Sequence, residues 1–202
     1  MTEESKSIEP SAGNESDGSQ AVQTQRRIIK HDNQTYSWTG KRWIDIETFT
    51  SPPAMIVDQL DAILLPILLE EDEKISDVQQ LLDRAKEARD QKQHTRTESL
   101  ARKILLLAPG NFGAMAILCS CLRAVGKPEE ALKASESHKM VEYPPVILTR
   151  AAALCDLGRW EAAMIEVRKV LAISKKHSSW GYVNSQAPKL LNRIKTIRPD
   201  LF

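Results

Sequence analysis

The sequence predicts a mainly α-helical chain of stacked helical hairpins, preceded by a small β-meander. Three observations predict it. Leu122-Arg123-Ala124-Val125-Gly126-Lys127-Pro128-Glu129-Glu130-Ala131-Leu132 returns 32 residues later as Leu154-Cys155-Asp156-Leu157-Gly158-Arg159-Trp160-Glu161-Ala162-Ala163-Met164. Self-similarity at such a period marks helix pairs that each bury a face on the next. From Met55 onward, apolar residues recur at helical spacing. Between residues 27 and 45, by contrast, β-forming residues alternate with turn residues.

Composition sets the bounds. The 202 residues are enough for one domain or for a domain plus appendages, and 42% are apolar. With three Phe, three Tyr and four Trp, aliphatic residues and alanines must fill the core. The net charge of +1 exerts no global pull on nucleic acid or anionic lipid. Charge is uneven, however: residues 1–25 carry −4 and residues 150–202 carry +6. Three cysteines in apolar helical context argue against a disulfide framework and for a reducing compartment. The acidic N-terminus has no apolar stretch of the secretory kind. The longest apolar run, Ala62–Leu69, is eight residues with Pro66 inside it, whereas a membrane span needs about 20. These features describe a soluble, cytoplasmic protein.

Residues 1–25 read as a disordered acidic leader, too polar to offset the entropy of ordering. Residues 26–50 read as the β-meander. Its strands are Arg27–His31, Gln34–Trp38 and Lys41–Asp45, with turns at Asp32-Asn33 and Thr39-Gly40. Tyr36–Trp43 resembles the Y-W-D-G-x-x-W element of small bacterial accessory domains. Trp38 and Trp43 serve either as the core of this sheet or as an exposed aromatic contact. Pro52-Pro53 opens a helical linker or N-terminal cap over residues 51–75. There Pro66 is expected to kink or divide the helix. Ser76 with Gln79 three residues on reads as a capping box opening the next helix.

The hairpins occupy residues 76–176. Ala85, Cys119 and Ala151 fall at one position of the first helices, and Thr97, Ala131 and Ala163 at one position of the second. Small side chains there allow two helices to approach closely. Gly126 and Gly158 follow the first helices, where a left-handed cap suits a residue without a Cβ. Pro109, Pro144 and Pro145 are placed between hairpins. Residues 177–202 form a C-terminal capping helix and basic tail. Ser185 is its expected N-cap, Pro188 lies in its first turn, and Leu190, Leu191 and Ile194 share a face.

This pattern is similar to the tetratricopeptide repeat. The resemblance implies a right-handed superhelical array of about three hairpins, beginning near Val78, Phe112 and Pro144. The third is the fullest match, through Ala151, Leu154, Gly158, Trp160, Ala163 and Val170. In the second, Ser135 and His138 replace apolar or small residues. The first keeps Ala85, Ala101 and Pro109 but has Lys92 at the turn glycine.

The resemblance further implies a concave groove lined by the first helices. Its expected partner-binding residues are Gln79, Leu82, Lys86 and Arg89, then Ala116, Ser120 and Arg123, then Leu148, Ala152 and Cys155. This surface is cationic toward the first two units and apolar toward the third. The family's carboxylate clamp is not expected, because its positions hold Leu82, Lys86, Ile117, Pro145 and Thr149, with no asparagine.

No enzyme is indicated. The glycines form no phosphate loop, and His31, His94, His138 and His177 are scattered. Cys119 and Cys121 lie about 200° apart around a helix, so no metal site is expected. Cofactors and metals are therefore expected to be absent. The implied function is a non-enzymatic adaptor or secretion-type chaperone that binds a partner polypeptide. The alternative is a nucleic-acid accessory subunit using Arg168, Lys169, Lys175, Lys176, Lys189, Arg193, Lys195 and Arg198. Self-association through an uncapped hairpin face or the Trp38/Trp43 module is a further expectation.

Overall fold

The computed structural model describes residues 27–136, 143–174 and 180–202. The expected acidic leader, His138, Lys175, Lys176 and His177 lie outside the described residues. The chain divides into two units, Met1–Pro53 and Ala54–Phe202.

The first unit contains an antiparallel sheet of β1 (Arg27–His31), β2 (Gln34–Trp38) and β3 (Trp43–Asp45), in that order. Asp32 (φ 47°) and Asn33 (φ 64°) connect β1 to β2, with His31 paired to Gln34. Two left-handed residues give the turn whose twist matches a hairpin, and Asp and Asn tolerate that region. β3 begins two residues later than expected, because Lys41 and Arg42 belong to the turn. There the Arg42 N–H donates to Thr39 Oγ1 (3.2 Å) and the Thr39 N–H to the Arg42 carbonyl (3.1 Å). Trp38 and Trp43 face each other in register, ring centroids 5.3 Å apart. They are only 8% and 2% exposed, and with Tyr36 they form the sheet's core. The exposed-aromatic alternative is thereby overturned, because the two rings pack on each other and are buried.

The second unit contains, among the described residues, eight α-helices. α1 (Ala54–Glu73) precedes three hairpins: α2 (Val78–Asp90) with α3 (His94–Leu107), α4 (Phe112–Ala124) with α5 (Pro128–Glu136), and α6 (Pro144–Asp156) with α7 (Trp160–Ser174). α8 (Gly181–Ile197) and one 3-10 turn, Pro199–Leu201, follow. The residues at the small-residue positions, Ala85, Cys119, Ala151, Thr97, Ala131 and Ala163, are all buried.

Four boundaries differ from expectation. α1 runs undivided through Pro66, since Leu60, Leu64 and Leu68 bury one face on both sides of it and offset the lost backbone hydrogen bond. α2 is capped by Asp77 rather than Ser76, the Asp77 carboxylate accepting from the Gln80 N–H at 2.6 Å. Pro144 and Pro145 open α6 rather than lying between hairpins. α8 begins at Gly181, so Ser185 and Pro188 are interior; Val183 and Ala187 extend its buried face backward from Ile194.

The three hairpin turns share one backbone geometry. Lys92, Gly126 and Gly158 have φ of 59°, 77° and 71°. The following N–H groups, of Gln93, Lys127 and Arg159, donate to Ala88, Leu122 and Leu154 carbonyls at 2.9, 2.8 and 2.9 Å. This is the Schellman closure, and the first unit achieves it without glycine.

α1 is fastened to the first hairpin by charge. Asp72 is buried and accepts from Arg96 Nε (2.6 Å), Arg96 Nη2 (3.0 Å) and Arg84 Nη1 (2.8 Å). Bidentate, charge-assisted bonds of this kind are strong when desolvated. Lys103 Nζ donates to the Asp72 and Glu73 carbonyls, a cation at the negative end of the α1 dipole.

Candidate functional site

The first helices lie side by side in the order α2, α4, α6, and α8 continues the row beyond α6. Ala187 is buried like Ala85, Cys119 and Ala151, 36 residues after the last of them. α8 therefore stands in the place of the first helix of a further unit. This role is additional to capping, and the Ala151–Ala187 interval was the sequence signal for it.

The four helices enclose a cavity of about 780 Å³. Each contributes one face at helical spacing. α2 presents Lys86 and Arg89, with Asp90 beside them. α4 presents Gly113, Ala116, Ile117, Ser120 and Arg123. α6 presents Pro145, Leu148, Thr149 and Ala152. α8 presents Tyr182, Gln186, Lys189, Leu190 and Arg193. Small residues on α4 and α6 leave the volume open between larger walls.

Lys86, Arg89, Ala116, Ser120, Arg123, Leu148 and Ala152 are brought together on this lining. Three expected residues are not. Gln79 is exposed near the start of α2, where its amide donates to Asp83. Leu82 packs against the hydrophobic core, beside Gly113. Cys155 is 2% exposed within that core, and burial pushes its thiol up to about 11. The resemblance assigned it to the groove, but it is buried in the hydrophobic core.

The charges are paired more extensively than the sequence showed. Lys86 Nζ lies 2.9 Å from Asp83, and Arg89 reaches Asp90 through Nε (3.0 Å) and Nη2 (2.9 Å). The Lys86 bond, then the Gln79 bond, hold the Asp83 carboxyl below its ordinary range. Asp156 bridges two helices, accepting from Arg123 Nε on α4 (2.8 Å) and Arg193 Nη1 on α8 (3.3 Å). Among the described residues, Lys189 has no carboxylate partner.

An aromatic row marks the helix starts. Phe112, Tyr143 and Trp180 sit at the N-terminal ends of α4, α6 and α8. Phe112 stacks on Tyr143 at 5.0 Å, and Tyr143 meets Trp180 edge-on at 5.1 Å. Tyr143 also lines the cavity. Their irregular spacing in sequence concealed this row.

The basic C-terminal stripe is divided. Lys189 and Arg193 face the cavity. Arg168 and Lys195 instead lie 5.7 and 5.8 Å from the Phe202 ring centroid. Arg198 donates to Asp200 (2.8 and 2.6 Å) and pairs with Glu161 (3.0 Å). These bonds raise the Arg198 pKa and hold Asp200 below its usual range.

The cysteines point apart. Cys119 Sγ meets the Ala131 carbonyl of α5 at 3.4 Å, and Cys121 Sγ the His94 carbonyl of α3 at 3.2 Å. Burial pushes the Cys119 thiol up to about 12. Among the described residues, no group of three or more His, Cys, Asp or Glu side chains is arranged to hold a metal ion.

Several solved structures share this architecture. PcrH from Pseudomonas aeruginosa superposes with a TM-score of 0.53 at 14% identity, covering 58% of this chain and 91% of PcrH. The Yersinia enterocolitica type III secretion chaperone SycD, in complex with a peptide of the translocator YopD, gives 0.53 at 15%, covering 62% and 98%. A type III secretion complex from Aeromonas hydrophila gives 0.54 at 16%, covering 70% and 98%. The fold is a tetratricopeptide-like repeat array, mainly helical with a small N-terminal sheet. Identities this low establish the fold alone. No protein-family model matches the chain, and no curated protein sequence does.

Proposed function

We propose that this protein is a non-enzymatic chaperone or adaptor that holds a segment of a partner polypeptide in the cavity between α2, α4, α6 and α8. The observation that carries the reading is the lining itself. α4, α6 and α8 supply apolar and hydrogen-bonding side chains to one cavity, and α2 adds the charged side chains of Lys86, Arg89 and Asp90. An extended or helical peptide uses such a surface through side-chain anchors spaced along it. The similar folds support the reading, since SycD and PcrH were both crystallised with segments of other proteins, YopD and PopD. Residues Lys86, Arg89, Ser120, Arg123 and Leu148 carry the contact in this proposal. Gln79, Leu82 and Cys155 do not.

A cytoplasmic location fits this role, and no helix among the described residues is long and apolar enough to cross a membrane. Self-association belongs to the same proposal, because SycD also forms an alternative dimer. Sedimentation across concentrations checks it, and a constant monomer mass removes that part.

Photo-crosslinking tests the binding role. A photoreactive residue at Ser120 should capture a polypeptide in cell extract, and the same residue at the exposed Lys133 of α5 should not. Equal capture at both positions, or none at Ser120, defeats the proposal.

A further inference from the structure

We propose that the segment held in the cavity is acidic as well as apolar, and that Asp156 is the internal carboxylate with which it competes. This rests on the polypeptide-binding role above. Five lining side chains are cationic: Lys86, Arg89, Arg123, Lys189 and Arg193. Asp90 is the one carboxylate among the lining residues. Adding Asp83 and Asp156, which lie at hydrogen-bond distance from lining cations, still leaves an excess of two positive charges.

The cations are available to a ligand for different reasons. Lys86–Asp83 and Arg89–Asp90 join near neighbours on one exposed helix surface. Such pairs contribute about 0–1 kcal/mol, so a ligand carboxylate can replace the partner at small cost. Lys189 needs no replacement. Arg123 and Arg193 come from α4 and α8, the two helices that pack on α6, and the α6 carboxylate of Asp156 that both reach is a quarter exposed. Each guanidinium carries five N–H donors, more than the Asp156 bonds use. A ligand carboxylate therefore finds free donors on both, while Asp156 weakens the attraction by its charge. Beside Lys189 and Arg193, Leu190 packs against the cluster containing Leu148. A segment bearing Asp or Glu next to Leu or an aromatic residue satisfies both surfaces, and a basic segment is repelled.

The test is a random short-peptide display library selected on the full chain, with binding of the enriched peptides measured by fluorescence anisotropy. Enriched peptides should combine acidic and apolar residues and bind less tightly as salt rises. Asp156→Asn should tighten them several-fold, and Lys189→Glu/Arg193→Glu should weaken them by about tenfold or more. Lys189→Glu alone, which breaks no described ion pair, serves if the double variant does not fold. Peptides without acidic enrichment, insensitive to salt and to Lys189→Glu yet excluded by Ser120→Trp, overturn the acidic preference and leave the polypeptide role standing. Peptides that bind Ser120→Trp as well as the parent, or no enrichment at all, overturn both.

Discussion

At the turn of the third hairpin Gly158 adopts φ 71°, and at the turn of the first Lys92 adopts 59°. The next N–H reaches Leu154 in one and Ala88 in the other, both at 2.9 Å. The backbone is the same where the side chains differ. Glycine lowers the cost of a left-handed cap, but the cap is dictated by how the two helices meet. The hairpins also differ in what holds them. Both bury small residues between their helices, and the third adds the Arg150–Glu166 pair between α6 and α7. The first carries a buried Asp72–Arg96–Arg84 cluster contributed partly by α1. Erosion of the repeat at the first hairpin is thus accompanied by charged fastening from outside the repeat.

The largest test of this contrast is Asp72→Ala. It leaves Arg96, 6% exposed, without its carboxylate, and should cost about 3–5 kcal/mol in urea unfolding. A loss below about 1 kcal/mol would show that the cluster is solvated. Next come Ala85→Leu and Ala151→Leu, at equivalent positions that are both 0% exposed. Each should cost about 1–3 kcal/mol through overpacking. A tolerated Ala85→Leu beside a damaging Ala151→Leu would mean that the first hairpin is packed more loosely. Smaller still, Lys92→Gly should stabilise by about 1 kcal/mol and Gly158→Ala destabilise by a similar amount, read as opposite shifts in the unfolding midpoint.

Alkaline pH separates the hairpins by another route. Cys119 and Cys155, on the second and third, are raised to about 12 and about 11 by burial, whereas the first has Ala85 at the Cys119 position. Above the ordinary thiol range, near 9, the unfolded chain loses these protons while the folded chain keeps them. Stability should therefore fall as pH rises from about 9 toward 11 and 12, and Cys119→Ala/Cys155→Ala should flatten that decline. An unchanged alkaline limb in the double variant would assign the decline to other groups.

Much of the architecture was legible because it follows from local rules. Strand alternation and the Asp32-Asn33 turn specified the meander, and the Gly126/Gly158 interval located two hairpins. The inner faces of α2, α4 and α6 were implied by the resemblance to the repeat family, and most of those groove positions lie on the cavity lining. What was missed depends on distant packing. The linker-or-cap reading of residues 51–75 did not single out Asp72, because its burial requires Arg84 and Arg96 to arrive from two other helices. The α8 wall was read only as a cap, since Pro188 imitated a helix start. Cys155 was assigned to the groove through the resemblance, and only the packed core shows that it is covered. The Phe112–Tyr143–Trp180 row has no regular spacing to detect.

Chemical-shift mapping of the full chain with a display-selected peptide tests the central claim most directly. The account predicts that perturbed residues cluster on Lys86, Ser120, Leu148 and Lys189, one from each inner helix. Perturbations confined to α3, α5 and α7, or to the β-sheet unit, would contradict it.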